Sequence, residues 1–256
     1  AVDIVVEPFG GIWLRDSAPI FVAGSDGLVG QNFGFNGWGG KFAMAGDQDI
    51  GERLARRFGL AIHERDWILE GGAIDGDGAG WLITTRQCVL NDNRNAGLSS
   101  EQAEAWLGQA LAAEHICWLG DGLVADHTDG HVDNLARFVA PGTVAIPEAG
   151  AGDDPNREIF DQAAQCAQSS GLKVVRLPSV GRYEIDDDIA PASYMNFYIG
   201  NTVVAVPQYG AANDARAVEQ IATLFPDRKV IGLSSQALLR GGGSFHCISQ
   251  QIPLVP

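Results

Sequence analysis

The stretch from Ser99 to Leu119, SSEQAEAWLGQALAAEHICWL, decides the fold. Its first sixteen residues, 99–114, space alanine, leucine and tryptophan at helical intervals behind a serine that can cap them, which predicts an amphipathic helix. The next five, HICWL, form a short apolar run rich in strand formers. The same helix-then-strand order recurs three more times. DQDIGERLARRF at 47–58 leads to LAIHE at 60–64, DPNREIFDQAAQCAQSS at 154–170 to LKVVRL at 172–177, and NDARAVEQIATLF at 213–225 to KVIGL at 229–233. Pro155 early and Gly171 just beyond the third helix, and Pro226 after the fourth, are the expected punctuation. The helix starts fall 52, 55 and 59 residues apart.

Each post-helix strand is followed by a polar, glycine-bearing loop and two more strands, as in WLITTRQCVL, HVDNLARFV then TVAIPEA, and NFYIG then TVVAVPQY. A ββαβ unit repeating at this period signals a radial or stacked α/β architecture in which equivalent loops converge on one face. VDIVV at 2–6 takes the post-helix place with no helix before it, and SFHCISQQIP at 244–253 is a lone strand at the other end. A closed ring of five would then draw most of one unit from an N-terminal segment ahead of Ala1. The expectation is one domain over residues 1–256.

The chain has 256 residues, 46% of them hydrophobic, enough for a large buried core, and a formal net charge of −15. That charge argues against nucleic-acid backbones and anionic membranes as partners and favours a cationic small substrate. No apolar run approaches the about 20 residues of a membrane span, and the N-terminal residues lack a signal peptide's basic region, so the expected compartment is cytoplasmic. The four cysteines form no C-x-x-C pair, which indicates neither a zinc knuckle nor a disulfide framework.

The five equivalent loops carry Trp13-Leu-Arg15-Asp16, Leu69-Glu70-Gly71-Gly72, Asp126 to Asp133 (DHTDGHVD), Pro191 to Asn196 (PASYMN) and Gly241 to Cys247 (GGGSFHC). Convergence would join a thiol, a histidine and three carboxylates, the parts of a thiol hydrolase for a cationic amidine. Cys247 is the candidate nucleophile, because three glycines before it let backbone approach a ligand. Cys88, Cys117 and Cys166 read instead as small buried hydrophobes in two strands and a helix. His131 is the candidate acid and base, and Glu70 the carboxylate that orients it and favours its protonated form. Asp16 and Asp133 suit the planar N–H fork of a guanidinium, and Trp13, Asn196 and Gly243 complete the substrate-binding set.

His127, Asp129, His131 and Asp133 alternate, so an extended segment would place all four on one face and open a rival reading as a metallohydrolase. His246, next to Cys247, would point to the opposite face of its strand and is read as structural. His63 and His115 are read as core or edge residues. The preferred reading needs no metal and no cofactor.

At these residues the sequence resembles the agmatine deiminase and bacterial-type peptidylarginine deiminase family. WLRDSAPIFV, LEGGAIDGDGAGWLITTRQCVLNDNRN, TDGHVDNLARFV, PASYMNFYIGNTVVAVPQYG and GGGSFHCISQQIP match five of its motifs in order across nearly the whole chain. Two departures stand in the first loop: Ala18 replaces a usual glycine, and Gly10-Gly11 stand where polar or acidic residues are common. The resemblance implies a pentein-type, pseudo-fivefold ββαβ propeller with one blade incomplete. It also implies hydrolysis of agmatine to N-carbamoylputrescine and ammonia in polyamine biosynthesis, with catalytic Cys247, His131 and Glu70 and guanidinium-binding Asp16 and Asp133. Deimination of free or peptidyl arginine is the enzymatic alternative, and an inactive guanidinium-binding fragment the non-enzymatic one. Ring-shaped repeats with an exposed seam often self-associate, so a homodimer is the expected assembly.

Overall fold

The computed structural model describes residues 2–24, 27–150 and 152–254. Four three-stranded sheets follow one another along the chain, built from β1 (Ile20–Gly24), β2 (Gly27–Gly34) and β3 (Ala61–Ile68); β4 (Ile74–Gly76), β5 (Trp81–Thr84) and β6 (His115–Trp118); β7 (Arg137–Ala140), β8 (Thr143–Glu148) and β9 (Lys173–Pro178); and, after a two-stranded hairpin of β10 (Glu184–Ile185) and β11 (Asp188–Ile189), β12 (Tyr198–Ile199), β13 (Val203–Gln208) and β14 (Lys229–Ser234). In each three-stranded sheet the first two strands pair antiparallel and the last two parallel, in register Leu82↔Ile116, Val144↔Val174 and Val204↔Val230 for three of them. A parallel pair needs a crossover, and the four amphipathic helices supply it: Ile50–Phe58, Ser100–Leu111, Arg157–Ser169 and Asp214–Leu224.

Local chemistry sets these helix boundaries. Ser99 accepts from the Gln102 N–H while Gln102 reaches back to the Ser99 N–H, closing a capping box on the second helix. The first helix ends where Gly59 turns left-handed at φ 65°. The third and fourth pack on their own sheets and also on the last strand of the preceding unit, β6 and β9 respectively. The cores accordingly form between successive units. Ile83, Cys117 and Leu119 of the second unit meet Phe160, Ala163 and Leu172 of the third, and Leu177 meets Val204, Val206 and Ile221 of the fourth.

Four sequence expectations need correction. Residues 2–6 form no strand: Val2, Ile4 and Val6 are exposed, and no strand among the described residues pairs with them. Residues 244–253 are a turn followed by irregular chain rather than a strand. The segment 127–133 is a turn, with Asp129 and Gly130 at φ 62° and 89°, so the alternation cannot put its four polar side chains on one face. Cys88 lies not in a strand but in the single helical turn Arg86–Val89, which Thr85 caps. No helix among the described residues is long and apolar enough to cross a membrane.

Candidate active site

The five singled-out loops meet at one end of the sheets. Asp16 sits on the one-turn helix Leu14–Ser17, whose Arg15 N–H donates to the carbonyl of Cys247 at 3.0 Å and so ties the first loop to the last. Trp13 lies against the glycine run: a Cβ on Gly243 would come within 2.5 Å of its ring and 3.0 Å of the Cys247 Cβ. Only glycine lets ring and thiol close on the same backbone. Trp13, Asp16, Trp38, Gly243 and Cys247 line a cavity of about 90 Å³ with Phe42 and Met44 at its mouth, and no Lys or Arg is among its lining residues.

Asn196 and Asp133 hold the thiol. Asn196 Nδ2 donates to Cys247 Sγ at 3.1 Å, and its Oδ1 accepts from the His246 N–H at 3.0 Å and lies 3.4 Å from the Cys247 N–H. Asn196 is fully buried behind the cavity lining, as are Asp133 and His131, and its amide holds the Cys247 sulfur. Asp133 Oδ2 lies 3.5 Å from Cys247 Sγ and shares a 2.7 Å hydrogen bond with His246 Nδ1, while its Oδ1 is buried without a partner. The expectation that His246 faces away from Cys247 is therefore wrong. In a turn, unlike a strand, neighbouring side chains can serve the same site.

Asp16 is oriented from two sides, its Oδ1 accepting from the Gly72 N–H at 2.9 Å and its Oδ2 from Trp38 Nε1 at 2.9 Å. His131 Nδ1 lies 3.7 Å from Asp16 Oδ1. A Cβ on Gly72 would stand 2.5 Å from His131 Nδ1 and 2.8 Å from Asp16 Oδ1, which explains the glycine after the Glu70 turn. Glu70, Cys88 and His131 place donor atoms within 4.8 Å of one another, the one such cluster among the described residues. Arg94 Nε already donates to Glu70 Oε1 at 2.8 Å. A dication would have to displace or crowd that guanidinium, so the cluster reads as an acid–base group rather than a metal centre. His127 and Asp129, the other half of the rival metal reading, stand outside that cluster. His127 stacks edge-on against Phe42, and Asp129 pairs with Arg94 and Lys41.

The charges of the site follow from burial set against neighbours. Burial alone would discharge His131, but Asp16, Cys88 and Glu70 outweigh it and hold its pKa well above the ordinary value. Burial pushes Glu70 up, opposed by His131 and Arg94. Burial pushes Asp133 up to about 7, with His131 opposing and Asp16 adding to the rise. Cys247 is raised well above the usual thiol value by burial, Asp133 and Asp16. His246 is kept neutral by burial and by the nearby Arg137 and Arg15. The site thus holds an uncharged thiol beside a carboxyl poised near neutrality, with a charged imidazolium across from them.

Trp38, Arg94 and Cys88 are the site residues that the sequence reading missed. The signal for Trp38 was FNGWGGK, where four consecutive residues, Gly37 to Gly40, take positive φ. Three of them are glycine, for which that backbone is unstrained. The acidic run Asp186-Asp187-Asp188 turns the β10–β11 hairpin, with φ 54° and 71° at its first two residues. Asp186 pairs there with Arg240.

The chain is similar to known proteins along nearly its whole length. The profile of the Porphyromonas-type peptidyl-arginine deiminases matches residues 1–253. A relative from Enterococcus faecalis, named "Putative agmatine deiminase", is 37% identical over 271 residues, 94% of this chain and 74% of its own. Two solved structures, an agmatine deiminase of Enterococcus faecalis and a substrate-bound C. jejuni agmatine deiminase variant, superpose with TM-scores of 0.88 each. Their identities are 36% and 31%, over 94% and 93% of this chain and 74% and 72% of theirs. Sequence motifs, an α/β fold of the pentein type and the profile match together place this chain in the Porphyromonas-type peptidyl-arginine deiminase family.

Proposed function

We propose that this chain hydrolyses the guanidinium group of agmatine to a ureido group, releasing N-carbamoylputrescine and ammonia, with Cys247 as nucleophile. The observation that carries the reading is the buried junction of Cys247, Asp133 and His131 beside Asp16 at a cavity with no cationic side chain in its lining. A guanidinium entering between Asp16 and Asp133 offers planar N–H groups to both carboxylates and replaces the water they lose. Its positive charge also reverses the electrostatics around the thiol. Asp133 ionises, and Cys247, otherwise raised by burial and those two acids, loses its proton to bulk water through the open mouth.

The thiolate then attacks the central carbon, giving a neutral tetrahedral adduct. His131, held protonated by Asp16, Cys88 and Glu70, passes its proton to one NH₂ group, which leaves as ammonia; an S-alkylthiouronium cation remains on Cys247. Neutral His131 takes a proton from a water that adds to the same carbon. Collapse of that second adduct breaks the C–S bond, frees the urea and returns the thiolate with an imidazolium, the remaining proton joining ammonia as ammonium. In this reading Glu70 keeps His131 charged between turnovers, Trp13 and Gly243 shape the wall behind the carbon, and Asn196 aims the sulfur.

The cavity lining favours agmatine over arginine. Free arginine would bring a carboxylate to a mouth of Phe42, Met44 and His127, where Lys41 is engaged by Asp129 and the His127 carbonyl. The four ββαβ units are, on the same reading, four blades of a pseudo-fivefold propeller. Its remaining position lies where residues 3–9 and 250–252 line a cleft with the helix Ile50–Phe58.

The test is ammonia release from agmatine, free arginine and an arginyl peptide, by this chain and by Cys247→Ser. Release from agmatine that disappears in Cys247→Ser is the expected result. Undiminished release by that variant, or a preference for the peptide, would overturn the assignment.

A further inference from the structure

The motif NDNRN at 91–95 is not used by the chemistry above, yet Arg94 at its centre is buried against the acid–base pair. Its side chain is 1% exposed, as is that of Glu70. Its Nε donates to Glu70 Oε1 at 2.8 Å, Nη1 to Asn93 Oδ1 at 2.8 Å and to Asp129 Oδ2 at 2.5 Å, and Nη2 to the Thr128 carbonyl at 2.8 Å. Every nitrogen of the guanidinium is engaged: Nε holds Glu70, and both terminal nitrogens reach Asn93 and the turn that leads into His131.

The turn that carries Arg94 is itself fastened. Asn95 exchanges two hydrogen bonds with Ile68, two residues before Glu70, and the Asn93 carbonyl accepts from Asn36 Nδ2 at 2.8 Å. Asn36 opens the loop that brings Trp38 onto Asp16, and that loop ends at Lys41, which pairs with the same Asp129. A Cβ on Gly39 would strike the Asn93 amide at 2.3 Å, so loop and turn pack without a gap.

We propose that Arg94 is a positioning residue that acts through Glu70: its Nε keeps the buried Glu70 carboxylate ionised and turned toward His131, and through Asp129 it locks that pair to the loop carrying Trp38. This inference rests on the role given above to Glu70 and His131. The charged and titratable groups around Glu70 are His131, Arg94, Asp16 and Cys88, and burial is the largest influence raising its pKa. Of these neighbours only Arg94 is a permanent cation. Without it, Glu70 binds a proton at higher pH, and His131 loses the charge that holds its own proton.

The test compares Arg94→Gln, Glu70→Gln and the double variant with the wild type by two readouts. The first is kcat and KM for agmatine across pH. The second is the infrared carbonyl band of a protonated buried carboxyl at pH 7, which needs no turnover. Arg94→Gln is expected to lower kcat about 10- to 100-fold, as loss of an orienting partner behind a reacting residue does, with KM changed much less. The acid limb of the profile should move up in pH, and an extra carboxyl band should appear that Glu70→Gln removes. In the Glu70→Gln background the Arg94 substitution should cost little more. If Arg94→Gln does not fold, Arg94→Lys is read the same way, with a smaller shift in the same direction that Glu70→Gln again cancels.

Wild-type pH limbs with no new band in the folded variant, or an Arg94 loss that persists undiminished beside Glu70→Gln, would overturn the proposal. A wild-type chain that releases no ammonia would remove the functional reading alone. The infrared band would still decide whether Arg94 holds Glu70 ionised.

Discussion

Asp133 is fully buried 3.5 Å from the Cys247 sulfur, and its carboxyl is pushed up to about 7 by burial. Its native pKa therefore lies above the ordinary value of 3.8, the reverse of a salt-bridged aspartate. A group of this kind binds its proton more tightly in the folded chain, so its contribution to stability is fully present only below the ordinary value of 3.8 and is lost as pH rises through about 7. A gap of about three units corresponds to a cost on the order of 4 kcal/mol at pH 8. Asp133→Asn removes that cost and is expected to raise the Tm at pH 8 by several degrees while lowering kcat/KM for agmatine at least 100-fold; a lower melting temperature would show that the charge supports the fold. The same titration sets substrate binding, because a guanidinium needs the ionised carboxylate. The apparent KM should climb as pH falls below about 7, and steady-state rates from pH 5 to 8 measure that slope.

Site geometry at the scale of an element depends on how closely two backbones can approach. The turn Glu70-Gly71-Gly72 brings its N–H to Asp16 and its α-carbon to the His131 ring. Gly72→Ala is expected to push His131 and Asp16 apart and reduce kcat/KM about 100-fold, the usual effect of an ångström-scale displacement of reacting groups, with little change in Tm. A larger loss of stability than of activity would contradict this account. Far from the site, Ser99→Ala should remove the capping box and destabilise by about 1 kcal/mol, lowering the Tm by a few degrees with kcat/KM unchanged. The four helices were readable because caps, periodicity and stop signals act within a few residues. The strands expected at 2–6 and 244–253 were misread, since an apolar alternation becomes a strand only when a neighbour accepts its hydrogen bonds. Likewise the alternation His127-Asp129-His131-Asp133 suggested one face, but positive φ at Asp129 and Gly130 breaks the period.

Taken as a whole, the molecule carries a net charge of −15 and is proposed to bind a cation. Part of the attraction acts over distances that salt screens, whereas the buried carboxylates act at contact. Raising NaCl from 20 to 500 mM, against a Debye length that shrinks from roughly 20 to 4 Å, should raise the KM for agmatine several-fold and leave kcat nearly unchanged. A salt-independent KM would confine recognition to the cavity. The sequence by itself determined the ββαβ repeat, the four crossover helices and the loops that carry Asp16, Glu70, His131, Asn196 and Cys247, because each depends on local periodicity, capping or glycine placement. Only the tertiary structure decided which groups touch: His246 against Asp133, Trp38 on Asp16, Cys88 beside His131 and Arg94 clasping Glu70. Those pairs lie 22 to 113 positions apart where they form hydrogen bonds, and no short-range pattern encodes them. Their protonation states were also out of reach of the sequence, because burial and neighbouring charge, not residue type, put Asp133 near neutrality and keep His131 charged.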